Sequence, residues 1–74
     1  MAFTYRPLWR LLKERNIRKT HLVKLAGISS ATLHQLRCGK NIGMSVLGRI
    51  CDALDCRVED VIEYSPTGDS KLYD

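Results

Sequence analysis

The side chains in this 74-residue sequence that could do chemistry fall into three sets, and spacing decides what each can do. His34 and Cys38 stand four residues apart, the separation that brings two side chains together on one helix face. A thiol beside an imidazole is the beginning of a nucleophilic pair. Nothing around it supplies an oxyanion hole, a third group to orient the imidazole or a pocket, so the chain is not expected to be an enzyme. Adding His21 gives three donors where structural zinc takes four, with no close pair beyond His34 and Cys38; no metal and no other cofactor is expected. The third set is Ser30, Ala31, His34 and Gln35, small or hydrogen-bonding residues within one short stretch. Gln35 can bond adenine N6 and N7 bidentately, the Ala31 methyl suits the thymine C5-methyl, and His34 can donate to a guanine or a phosphate. That is the chemistry of reading base edges.

Charge is distributed in the same sense. Residues 1–40 carry nine Lys or Arg against one acid, Glu14, a net +8, whereas residues 41–74 carry three bases against seven acids, a net −4. One basic face and one neutral or acidic face follow, and a basic face suits a polyanion. The composition, 45% hydrophobic and 27% charged, is that of an ordinary globular chain. A domain of this size buries only ~60% of the surface its unfolded chain exposes, which leaves room for one thin core and no second lobe. No apolar run reaches the ~18 residues of a membrane span, and the N-terminus lacks a signal-peptide core. A cytoplasmic protein with no membrane contact is expected. The three cysteines, Cys38, Cys51 and Cys56, are odd in number and contain no Cys-x-x-Cys pair, which reads as reduced thiols.

The elements that must position these residues read as short helices. Period-two alternation is missing throughout, so no strand is expected. A first helix begins near Pro7 with Leu8, Leu11 and Leu12 inward and stops near Asn16. A second covers 18–26, with Leu22, Leu25 and Ala26 inward, and Gly27 supplies the left-handed position that ends it. Ser29 caps a third, about 30–38, with Leu33 and Leu36 inward. At about 100° per residue, Ala31, His34, Gln35 and Cys38 point away from that stripe, with Ser30 at its margin. Gly39 ends the third helix, and residues 40–43 form a polar loop. A fourth helix fits 44–54, with Leu47, Ile50, Cys51 and Leu54 inward, and a short fifth fits 58–63 with Val58, Val61 and Ile62. Tyr5 and Trp9 read as packing residues, and residues 65–74 as a flexible tail.

Two short helices meeting at Ala26-Gly27-Ile28-Ser29 form a helix-turn-helix over about 18–38. The stretch from Ile17 to Lys40 resembles the Cro/CI-type (xenobiotic-response-element-like) helix-turn-helix family. The matching positions are Leu22, Gly27, Ile28, Ser29, Leu33, Leu36, Gly39 and Lys40. The similarity extends over roughly 7–62, through R-I-C-D-A-L-D-C-R-V-E-D-V-I. It departs where the family pairs an Arg in the first helix with a Glu late in the third, because Leu12 and Arg37 stand there; Arg37 is left to turn toward DNA or a partner. Val23 also replaces a small alanine, Gly48 a leucine, and Arg57 a serine cap.

The resemblance implies an all-α, compact five-helix lambda-repressor-like DNA-binding domain over residues 1–64. It implies a transcriptional regulator, a repressor, that binds double-stranded DNA with its third helix in the major groove. Base contacts fall to Ser30, Ala31, His34 and Gln35. Phosphate contacts fall to Arg18, Lys19, Ser29, Arg37, Lys40 and Asn41. A homodimer is expected, joined through the acidic C-terminal half with Val61, Ile62, Tyr64 and the tail, because a dimer must keep its contact away from phosphates. The alternative is a helix-turn-helix that binds a protein, such as an antitoxin or a repressor-antagonist.

Overall fold

A computed structural model of the chain describes residues 2–65. Helix α1, Arg6–Glu14, has Pro7 in its first turn, where a missing N–H is tolerated. Helices α2, Lys19–Ala26, α3, Ser30–Arg37, and α4, Met44–Leu54, follow the hydrophobic periodicity almost to the residue. Each of the four ends in the same way. Asn16 (φ 57°), Gly27 (φ 66°), Gly39 (φ 74°) and Asp55 (φ 50°) take left-handed conformations. The N–H that follows each one reaches a carbonyl five residues back: Ile17 to Leu12 at 2.9 Å, Ile28 to Val23 at 3.2 Å, Lys40 to Gln35 at 2.9 Å and Cys56 to Cys51 at 3.1 Å. These are Schellman-type closures, which satisfy the orphan carbonyls of a helix end and turn the chain sharply.

The closures fold the helices around one core. Leu8, Leu22, Leu36, Ile50, Leu54 and Val61 are its most completely buried side chains, and α4 packs chiefly against α2. Arg15 donates through Nη1 to the Leu54 carbonyl and so ties the end of α1 to the end of α4.

Three expectations change. The described residues contain four helices, not five: Val58–Asp60 is a single 3₁₀ turn. The Val61 carbonyl accepts the Leu8 N–H at 3.2 Å, one of the orphan donors in the first turn of α1, and the chain is thereby drawn out of helical geometry. It continues into a strand, β2, Glu63–Ser65, which pairs antiparallel with β1, Ala2–Thr4, so the fold is mostly helical rather than all-α. Phe3 and Tyr64 stand opposite each other in that ladder with ring centroids 5.2 Å apart, edge to face. Strands of three residues are too short to show alternation. Ser65, read as the first residue of the tail, closes β2, and residues 66–74 of that tail lie outside the described residues.

Two side chains expected inside face solvent instead. Leu25 is 45% exposed and Val58 47%. The buried arc of α2 runs through Leu22 and Ala26 toward half-buried Val23, and Leu25 lies on the opposite flank. Val61, expected at a dimer surface, is 0% exposed and belongs to the core.

Two glycines should respond oppositely to a methyl group. A Cβ at Gly27 meets nothing within 4 Å, so Gly27→Ala carries only the left-handed backbone penalty. It should lower the unfolding free energy by about 1–2 kcal/mol. Gly48 lies inside α4, also with open space around a Cβ and without a positive φ. Gly48→Ala should raise stability by about 0.5–1 kcal/mol. Urea denaturation with unchanged m-values is the measurement.

Candidate nucleic-acid interface

The candidate surface begins at the turn between α2 and α3. Gly27 reverses the chain, Ile28 is 7% exposed and plugs the angle between the two helices, and Ser29 starts α3. Ser29 Oγ accepts the Thr32 N–H at 3.1 Å and lies 3.0 Å from the Thr32 hydroxyl. This fixes the N-terminus of α3, among the described residues the only one of the four α-helices whose N-cap side chain is so bonded. Leu33 and Leu36 anchor the opposite face in the core.

Ser30, Ala31, His34 and Gln35 are all exposed, as the sequence pattern requires. Helical geometry gathers Ala31, His34 and Gln35, with Cys38, on the arc facing away from Leu33 and Leu36, and sets Ser30 at the margin of that arc. The His34 ring Nε2 lies 3.5 Å from Cys38 Sγ. Both residues are exposed on the open side of the helix. Arg37 is exposed too, but it sits only about 40° around the helix from Leu33, at the rim of this face rather than its centre.

The basic and polar flanks have their own supports. Arg18, exposed, is the extended N-cap of α2 and makes no side-chain cap bond. Lys19 holds its ammonium 4.5 Å from the Trp9 ring centroid, which positions the charge beside α1 while leaving the residue exposed. Lys40 and Asn41 are exposed in the loop after α3. α4 likewise starts, at Gly43, without a side-chain cap. Ser29, a phosphate candidate, already accepts the Thr32 N–H and shares a second hydrogen bond with the Thr32 hydroxyl, so its remaining resource for a ligand is either one lone pair or the hydroxyl proton.

Two positioning residues escaped the sequence reading. Tyr5, read as packing alone, is 6% exposed and its hydroxyl donates to the Lys40 carbonyl at 2.5 Å, pinning the loop after α3 to the start of α1. Burial pushes the phenol above its ordinary range, and the Ile42 backbone N–H pulls the other way. Arg49, on α4, donates through Nη1 to the Gly27 carbonyl at 3.3 Å and so braces the turn from behind. Neither partner is near in sequence, and no local spacing marks them. Among the described residues no group of three or more His, Cys, Asp or Glu could hold a metal ion, and no helix is long and apolar enough to cross a membrane.

Comparison with known proteins agrees with this geometry. The profile of the Cro/C1-type HTH DNA-binding domain matches residues 7–67. A Bacillus subtilis (strain 168) protein described as the uncharacterized HTH-type transcriptional regulator YozG is 37% identical over 62 residues, covering 81% of this chain and 74% of the relative. The crystal structure of transcriptional regulator VanUg superposes with a TM-score of 0.81 at 35% identity, covering 84% of this chain and 83% of the other.

The Tyr5 clamp has a measurable signature. Tyr5→Phe removes the donor to the Lys40 carbonyl and should lower stability by about 1 kcal/mol near neutral pH. Because the folded pKa lies above 10.0, the unfolded chain releases this proton first, and stability falls as pH rises beyond that value. The loss should be shallower in Tyr5→Phe than in the parent chain, as followed by thermal unfolding between about pH 9 and 11.

Proposed function

We propose a function from one premise: the chain belongs to the Cro/C1-type helix-turn-helix DNA-binding domain family. It is a DNA-binding transcriptional regulator. In our reading it is a repressor that lays α3 in the major groove of duplex DNA and blocks its operator by occupying it. The observation that carries this reading is the outward face of α3: Ser30, Ala31, His34 and Gln35, exposed together on a helix that is capped at one end and anchored by two buried leucines.

The roles follow from side-chain chemistry. Gln35 reads adenine bidentately, Ala31 packs on a thymine methyl, and Ser30 and His34 supply single hydrogen bonds. Arg18 and Lys19 meet phosphate at the N-terminus of α2, Lys40 and Asn41 meet it in the loop that Tyr5 clamps, and Ser29 and Arg37 reach it from the rim of α3. Residues 1–64 are the binding module. The protein works as a homodimer on half-sites about one helical turn apart, in the cytoplasm at the nucleoid. The dimer contact lies in the C-terminal half, at the Ile62 and Tyr64 side of a cleft of about 570 Å³ that Phe3, Ile42 and Met44 also line and that the phosphate candidate Asn41 borders. Phe3, Met44 and Tyr64 are 53%, 84% and 42% exposed, an apolar surface well suited to a second copy.

Fluorescence anisotropy with a random duplex pool, titrated against salt, tests the reading. Affinity should fall linearly in log salt, and Lys19→Ala/Lys40→Ala should reduce the slope by about 2, one counterion for each phosphate that is no longer neutralised. Once an operator has been selected from the pool, Gln35→Ala should cost about 1–3 kcal/mol of discrimination at one base pair and leave the salt slope unchanged. Absence of binding at low salt would replace DNA with a protein partner for the same face. Sedimentation that finds a monomer at high concentration, with and without DNA, would remove the dimer.

A further inference from the structure

We infer that Cys51 and Cys56 are a redox site: a dithiol that a low-molecular-weight disulfide converts into an intrachain Cys51–Cys56 bond. The inference does not depend on DNA binding. It begins with the way the helices end. In a Schellman closure the side chain three positions before the cap and the one two positions after it come together over the turn, usually as an apolar contact. In α1 this pair is Leu12 and Ile17, and in α2 it is Val23 and Ile28, each pair buried or half-buried. In α3 it is Gln35 and Lys40, both exposed. In α4 the same two positions are Cys51 and Cys56, joined by the 3.1 Å bond from the Cys56 N–H to the Cys51 carbonyl, and both are half-buried.

A position filled in α1 and α2 by an aliphatic contact thus holds two thiols beside each other in α4. A disulfide asks for Cα atoms roughly 4.4–6.8 Å apart with converging Cβ vectors; the backbone bond from Cys56 to Cys51 and the hydrogen bond between their thiols hold this pair together over one turn, within a single element. The turn itself is held. Asp55 is in the left-handed conformation, and Arg15 from α1 bonds the Leu54 carbonyl. Asp60 and Arg15 act on Cys56 through their charges, and Cys51 lies beside it. Burial, then the adjacent Cys51 and the Asp60 carboxylate, push the Cys56 thiol up to about 11 against the pull of Arg15. Cys56 therefore stays protonated near neutral pH, which makes it a slow attacker and assigns it the second step. The third cysteine, Cys38, is exposed at the C-cap of α3 and belongs to a different surface.

The chemistry balances with the oxidant named. The Cys51 thiolate attacks one sulfur of the small disulfide, forming a mixed disulfide and expelling one small thiolate. Cys56 then gives its proton to solvent and attacks the Cys51 sulfur. The protein disulfide forms and the second small thiolate leaves. Two protein thiols are oxidised and one small disulfide is reduced to two thiols. Closing the bond cross-links the end of α4 to the turn after it and restricts the unfolded chain.

The test uses the full chain carrying Cys38→Ser, incubated with glutathione disulfide at pH 8.5 under native conditions and quenched with acid. Intact mass should fall by two hydrogens, and peptide mapping should link Cys51 to Cys56. The thermal midpoint should rise by roughly 5–10 °C and return on adding dithiothreitol. The same chain with Cys56→Val, its fold checked by circular dichroism, should stop at the mixed disulfide. Unchanged thiols in the folded chain, or stable glutathione adducts without loss of the two hydrogens, would overturn the proposal.

Discussion

The left-handed residue that closes each helix is the constraint on which the rest of the molecule depends. A helix end leaves four carbonyls without intrahelical partners, and in a chain this short there is little room to bury them unsatisfied. Asn16, Gly27, Gly39 and Asp55 meet the problem in place, turning the chain within two residues while the next N–H reaches back to a waiting carbonyl. Because the connections are so tight, the buried faces of Leu8, Leu22, Leu36 and Ile50 can converge on one core although none of the four described helices exceeds eleven residues. The closures are also what brings α3 directly out of α2, with Ile28 in the angle and Ser29 ready to cap.

The α3 face that we propose for DNA has to be stiff to serve that role, since a displaced helix wastes every contact it makes. Here stiffness comes from three directions. Ser29 holds the start of α3, Tyr5 holds the loop beyond its end, and Arg49 braces the Gly27 carbonyl at the turn. The small sheet completes the arrangement from the far side, because β1 leads straight into Tyr5 and α1. The pairing of Ala2–Thr4 with Glu63–Ser65 therefore helps to fix the residue that clamps Lys40. In the same way the departure from the family's ion pair is absorbed by packing. Leu12 is 3% exposed within the core, and Arg37 lies out at the surface. Replacing a buried ion pair by apolar contact need not weaken a fold.

Much of this was legible in the order of residues, because it rests on local physics. The periodicity of the leucines set the helices, Gly27 and Gly39 marked two of the closures, and Ser29 announced its cap. The outward arc of α3 followed from helical geometry alone, and with it the exposure of Ser30, Ala31, His34 and Gln35. What stayed hidden has no local cause. A fifth helix was a fair expectation for 58–63, but the orphan Leu8 N–H captures the Val61 carbonyl and Thr4 offers a strand edge to Glu63. Leu25 has an apolar side chain on an amphipathic helix, and only the direction from which α4 approaches leaves it in solvent.

The sequence by itself determined the helices, their ends, the turn between α2 and α3 and the residues displayed on α3, since each depends on neighbours within about five positions. Tertiary structure decided the rest: the strand pairing, the 3₁₀ turn, the Tyr5 clamp on Lys40, the Arg49 brace on Gly27 and the side of α2 that is buried. Each of these joins residues far apart in the chain, and a hydrogen bond or packing contact of that range is fixed only when the core has set the distance between its partners.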